Sequence, residues 1–315
     1  MSWIGRSESH DSLHFRVLPP CDELRRFIRY YWVLKCPPDA PFVEEYLAPD
    51  GFEEIIYSYG AAFLRTEVES NTRSRSTLNG SYVVPCKTVG VSCSRLGPLN
   101  MVGIKLWPNS LHALLDHSMK DLKSSALPLR DLSCTTLSSL EDQLYEASSE
   151  TSIKDCLDKV LKQVFRAHSA DPLLEYSLRK IFRERGGATI DSILKGAGCH
   201  YRTLEKNFQR TVGLSPKSLA KVIRFKHVFD RLMSEQLGSG TWYEFGYYDQ
   251  SHFTRDFKQF TGTSPRRFFQ SRLVSTEVLR FCLNVDIHRL NEENKNWLMT
   301  GGIELSRCTP SLQPT

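Results

Sequence analysis

The chain has no cysteine pair spaced as C-x-x-C, no run of eighteen apolar residues, and no histidine between residues 30 and 106. Its nine cysteines, at 21, 36, 86, 93, 134, 156, 199, 282 and 308, are odd in number and scattered. That argues against a disulfide framework or a zinc ribbon and for a reducing compartment. Without a long apolar run no membrane-crossing helix is expected, and the residues after Met1-Ser-Trp-Ile-Gly-Arg6 lack the apolar core of a secretion signal, so a cytoplasmic location is expected. Glu44, Glu45, Glu53 and Glu54 offer carboxylates in the histidine-free region, a poor set for a transition metal. No metal, cofactor or catalytic residue is therefore expected.

Net charge is also scarce, at +5 over 315 residues, until the chain is divided. Residues 176–275 hold 18 Lys and Arg against 8 Asp and Glu, a net of +10, leaving 23 against 28 elsewhere, a net of −5. Such asymmetry fits a polyanion partner for one region, because cationic side chains displace counterions condensed on phosphates.

That basic region contains one stretch written twice. Leu204, Phe208, Gly213, Ser215 and Pro216 recur as Phe253, Phe257, Gly262, Ser264 and Pro265, each 49 residues later, without a gap. In each copy two apolar residues four apart mark one face of a helix whose other side is polar and basic. The glycine then stops the helix in the left-handed conformation, and Ser-Pro starts the next one. Two such units fit paired helix-turn-helix modules, each presenting one helix to a major groove. Helices are expected over 173–183, 190–196 with Thr189 as N-cap, 201–211 and 216–233. Leu219, Val222, Ile223, Phe225, Val228, Phe229 and Leu232 are read as the apolar face of the last of these.

Ahead of the duplication the pattern changes. After a polar lead-in, a short helix is expected at Asp22–Arg29, then strands at 30–34, 42–47, 53–59, 61–68, 76–84, 87–93 and 99–106, separated by Pro, Gly and the polar run 70–76. Short strands at this spacing suggest a barrel or a double-sheet jelly roll. Helices follow at 110–115, 137–147 and 153–165; the stripe of Ile153, Leu157, Val160, Leu161 and Val164 suits a core or a dimer interface. His112 and His117 are five apart, off a common helix face, and read as solvated.

Arg202-Thr-Leu-Glu-Lys-Asn-Phe208, Gly213-Leu-Ser-Pro216, Gly246-Tyr-Tyr-Asp-Gln-Ser-His-Phe253 and Phe257–Pro265 together resemble the DNA-binding domain of the AraC/XylS family of bacterial transcription regulators. The resemblance spans about 176–272, and Leu47–Ile56 looks like a segment of N-terminal domains attached to some of these regulators. It implies an α+β chain: a β-rich, cupin-like sensor or dimerisation barrel at 17–108, a helical connector at 109–171, and at 172–275 an all-α domain of two helix-turn-helix units joined by a long helix. A partly disordered tail, 276–315, would follow.

By the family's pattern, base edges would be approached by Arg202, Glu205 and Lys206 in the first unit and Ser251, His252 and Arg255 in the second. Phosphates would be held by Arg210, Lys217, Lys258 and Arg266. Implied partners are double-stranded DNA, RNA polymerase, a small-molecule effector of unknown kind and a second copy of the chain. Two features depart from the pattern. His200 is a poor N-cap, and the second supporting helix should fall on 239–245, beside Gly238 and Gly240, where each glycine costs about 1 kcal/mol relative to alanine. The second unit is therefore expected to be the looser, with Arg255→Ala weakening binding less than Lys206→Ala. Two rival readings stay open: a small-molecule binding protein whose helical half meets another protein, and a cupin-type enzyme fused to a DNA-binding module.

Overall fold

The computed structural model describes residues 14–272 apart from 40–43, 69–72, 116, 123–125, 167, 169–170 and 235–245. The chain begins with strands β1 (His14–Leu18), β2 (Ile28–Cys36), β3 (Glu44–Leu47), β4 (Glu53–Ser58), β5 (Phe63–Val68), β6 (Arg73–Leu78), β7 (Tyr82–Val84), β8 (Gly90–Arg95) and β9 (Leu99–Leu106). A short strand, β10 (Leu127–Pro128), joins later. They form two antiparallel sheets, ordered β1-β2-β9-β4-β7-β10 and β3-β8-β5-β6. Among the described residues no ladder joins the two sheets, so the β-rich region is a pair of facing sheets with no closed ring of hydrogen bonds.

Alternation along the strands builds three layers. Tyr31, Val33, Ile55, Tyr57, Val83, Val102 and Ile104 point to one side of the larger sheet, into a core shared with helices α1 (Ser110–Leu115), α2 (Thr135–Glu146) and α3 (Glu150–Phe165). Trp32, Ile56, Tyr82, Val84 and Met101 point to the other side and meet Phe63 and Leu78 of the smaller sheet. Gly103 is needed there, since an added Cβ would lie 1.9 Å from the Trp32 indole. Leu137, Leu140 and Leu144 of α2 and Ile153, Leu157, Leu161 and Phe165 of α3 are all buried in this chain's own core. Of the two uses open to the α3 stripe, the structure realises the core.

Two buried carboxylates in this half are anchored. Asp158 accepts from the Tyr31 hydroxyl at 2.9 Å and the Cys21 amide at 3.1 Å, and pairs with Lys154 at 2.5 Å. Glu53, fully buried, accepts from the Leu111 and Asn109 amides at 2.8 and 3.3 Å; burial pushes its pKa up to about 8.

Two expectations about this half change. The helix expected at Asp22–Arg29 is a single 3-10 turn, Asp22–Leu24, because Ile28 already pairs with Leu106 in the sheet. The strand expected over 76–84 is two strands in different sheets, with Gly80 turning between them at φ +78. Part of the polar run read as a separator belongs to β6. That strand is a sheet edge with Ser74–Thr77 exposed, so it lacks an apolar signature.

From Asp171 onward the described chain is helical: α4 (Pro172–Arg183), α5 (Ile190–Ala197), α6 (Tyr201–Thr211), α7 (Pro216–Ser234), α8 (Gln250–Thr261) and α9 (Pro265–Arg272). The Asp171 carboxylate accepts from the amides of Leu173 and Leu174, and Pro172 occupies the first helical position. Leu219, Ala220 and Ile223 of α7 pack with α4, α5 and α6, while Val222, Phe225, Val228, Phe229 and Leu232 pack with α8 and α9. The residues read as one apolar face are thus shared between two cores, which makes α7 the common beam of both units. The tail and the second supporting segment, 239–245, lie outside the described residues.

Candidate nucleic-acid interface

Each copy of the duplicated stretch folds as its residue types require. In the first, Thr189 caps α5 by accepting from the Ser192 amide, and Gly198 ends that helix at φ +62. His200 gives α6 no side-chain cap. Leu204 and Phe208 are fully buried, and Gly213, at φ +80, donates back to the Phe208 carbonyl. Ser215 then accepts from the Ser218 amide at 3.1 Å to start α7. In the second copy Phe253 and Phe257 are buried, Gly262 stops α8 at φ +75, and Pro265 opens α9. Here the recognition helix does have a cap, since Asp249 accepts from the His252 amide at 2.7 Å. At the helix start, then, the second unit is the better secured of the two.

Burial of one face leaves the other outward. On α6, Arg202, Lys206 and Arg210 are exposed and Glu205 is half-buried, its carboxylate accepting from the Tyr201 hydroxyl at 3.0 Å. On α8, Ser251, Arg255 and Lys258 are exposed, while His252 is half-buried beside the Tyr247 ring, 5.1 Å between centroids. Lys217 and Arg266, in the first turns of α7 and α9, are exposed as well. Lys258, Arg266 and Arg267, with Gly262, Thr263, Ser264 and Gln270, line an open hollow of about 280 Å³, so two of the expected phosphate anchors converge on one basic recess.

Other contacts had no signal in the spacing. Arg210 Nη1 lies 3.2 Å from His112 Nε2, and His112 Nδ1 lies 2.7 Å from the His117 carbonyl oxygen, so the pair read as solvated touches a candidate phosphate anchor. The Asn207 amide donates to Asp171 at 2.5 Å, fixing α6 to the start of α4. Its counterpart by the 49-residue offset, Asp256, is buried and pairs with Lys221 of α7 at 2.9 Å. The Tyr201–Glu205 bond was legible in principle, as a donor and an acceptor four apart on one helix.

A family model described as a helix-turn-helix domain matches residues 193–271, and one described as a domain of unknown function (DUF6597) matches residues 16–128. A search of curated proteins finds no match. The chain is similar to ToxT from Vibrio cholerae O395, at 12% identity over 84% of this chain and 99% of that one, TM-score 0.40. It is also similar to unsaturated fatty acid bound ToxT from Vibrio cholerae strain SCE256, at 14% identity over 84% and 96%, TM-score 0.39. A 7S globulin from Momordica charantia aligns over 32% of this chain and 31% of its own, at 17% identity and TM-score 0.24.

α6 and α8, both within the stretch that the helix-turn-helix family model matches, turn basic sides outward, which marks residues 193–271 as a helix-turn-helix domain. The shared beam α7 and the repeated Gly-x-Ser-Pro stop and restart are the structural counterparts of the motifs that resemble the AraC/XylS family. Among the described residues no helix is long and apolar enough to cross a membrane.

Proposed function

We propose a one-component regulator in which α6 and α8 enter neighbouring major grooves on one face of a duplex, about 34 Å apart. Arg202, Glu205 and Lys206 approach base edges in one groove, and Ser251, His252 and Arg255 in the next. An arginine presents two donors that match guanine O6 and N7, and a glutamate accepts from cytosine N4. Arg210, Lys217, Lys258 and Arg266 hold phosphates, Arg210 by exchanging His112 for a phosphate oxygen. Residues 17–108 form the sensor or dimerisation domain, 109–171 the connector and 172–275 the DNA-binding domain. A small-molecule effector, RNA polymerase and a second copy of the chain are the further partners, the protein acts in the cytoplasm, and no catalysis is involved.

The observation that supports this most is the repeated burial of Leu204 and Phe208, and of Phe253 and Phe257, which turns Lys206 and Arg255 outward at equivalent positions of the two helices. The test is selection of duplexes from random DNA by the full-length protein, followed by titration of Lys206→Ala and Arg255→Ala. Each substitution should cost about 1–3 kcal/mol and relax base preference in its own half of the site. Binding that is indifferent to sequence, or unchanged in both variants, refutes the assignment.

A further inference from the structure

One side chain of the smaller sheet is buried in the wrong half of the molecule. Tyr46 lies on β3, held in register by pairing with Ser92 of β8, yet it is 2% exposed and belongs to the core of the second helix-turn-helix unit. Its ring centroid is 5.7 Å from that of Phe229 on α7 and 5.1 Å from that of Phe268 on α9, the latter edge to face. Its hydroxyl donates to the carbonyl oxygen of Phe260 at 2.7 Å. Phe260 sits in the last turn of α8, where helix carbonyls have no partner further along the helix. The neighbouring strand is cut away to admit this side chain, for a Cβ at Gly90 would stand 1.9 Å from the Tyr46 hydroxyl oxygen.

The first unit is touched elsewhere and by other groups. A Cβ added at Gly213, after α6, would lie 3.0 Å from the Met119 carbonyl oxygen, and Arg210 meets His112. The N-terminal half therefore grips the two units at separate points, and its grip on the second is a hydrogen bond to the recognition helix itself. Bidentate base contacts require donor and acceptor to meet within a few tenths of an ångström, so a helix free to slide or tilt about its C-terminal turn loses discrimination before it loses its fold.

We propose that Tyr46 is a positioning residue for base reading by α8: the smaller sheet sets the pose of the second recognition helix through this hydroxyl, leaving the first half of the DNA site unaffected. The inference rests on the DNA-reading assignment above, and it names a route by which a change in the N-terminal half reaches one half-site selectively.

The test uses full-length protein and a duplex it selects from random DNA. The half read by α8 is defined as the positions where Arg255→Ala loses base discrimination, and a second duplex has that half scrambled. Tyr46→Phe keeps the ring and removes the hydroxyl. It should weaken binding to the intact duplex about five- to tenfold, the worth of one hydrogen bond of roughly 1–1.4 kcal/mol, and leave binding to the scrambled duplex within about twofold of the unmodified protein. Gly90→Ala, which drives a methyl group at the hydroxyl from the neighbouring strand, should reproduce the same selective loss. Wild-type affinity of both variants for the intact duplex overturns the proposal. So does an equal loss on the two duplexes, which marks a general weakening of the fold. If the unmodified chain selects no duplex at all, the DNA-reading assignment itself falls, and this inference with it.

Discussion

Removing Lys221 tests most directly how the second recognition helix is held. Asp256 sits in the middle of α8 beside Arg255, its side chain 2% exposed, and Lys221 Nζ of α7 lies 2.9 Å from its Oδ1. Lys221 also donates to Gln259 at 2.6 Å, while His252 Nε2 stands 4.0 Å from the other carboxylate oxygen. Lys221→Met leaves a buried carboxylate without its cation. Stranding one member of a buried pair costs about 3–5 kcal/mol, and because Lys221 is 31% exposed the figure is discounted for solvent screening to about 2–3 kcal/mol. Asp256→Asn should cost less, about 1 kcal/mol, since the ammonium can rehydrate and keeps Gln259. The double variant Lys221→Met/Asp256→Asn should then be more stable than Lys221→Met alone, because neutralising the buried group removes the main penalty. Urea midpoints at constant slope measure all three. A Lys221→Met protein within about 0.5 kcal/mol of the unmodified chain, or strictly additive effects in the cycle, would refute the reasoning.

Three further outcomes are expected. His200→Asp supplies α6 with the cap that Asp249 gives α8 and should stabilise the fold by about 0.5–1 kcal/mol, while Asp249→Ala should cost about 1 kcal/mol; thermal melts of the two variants decide it. Burial, with Arg185, Lys226 and Arg29 nearby, lowers the pKa of His227 to about 4 against the opposing pull of Asp230. The unfolded chain therefore binds the extra proton first, and stability should fall as pH drops from about 6.5 to 4, by at most about 3 kcal/mol, a slope that His227→Gln should flatten. Glu53 shifts the other way: it keeps its proton in the fold up to about pH 8, so stability should decline as pH rises from about 4.5 to 8, and Glu53→Gln should remove that limb in a denaturation series across pH.

Legibility differed between the two halves for reasons visible in single residues. The helices of the first copy were readable nearly to the residue because they are bounded by local chemistry: Thr189 and Ser215 as caps, and Gly213, like Gly262 in the second copy, as a left-handed stop. The strands were readable where both faces are buried, as in Leu99–Leu106, and misread at β6, where four successive side chains, Ser74–Thr77, meet water at a sheet edge. In the candidate interface the outward side of α6 and α8 followed from the apolar face opposite. Partners drawn from distant sequence, such as His112 for Arg210, left no periodic trace.

The amino-acid order alone therefore determined that one stretch is written twice, where the first recognition helix begins and ends, where the second stops, and which side of each is cationic, because those depend on contacts within a dozen residues. Only the tertiary structure decided that α7 splits its apolar residues between two cores, that the β-rich region is two facing sheets, and that Tyr46 crosses from one half of the molecule to hold the end of α8. The physical reason is that an apolar or hydroxyl side chain specifies burial or a hydrogen bond but not the partner. Over a separation of 214 residues, as between Tyr46 and Phe260, the partner is chosen by how whole layers stack.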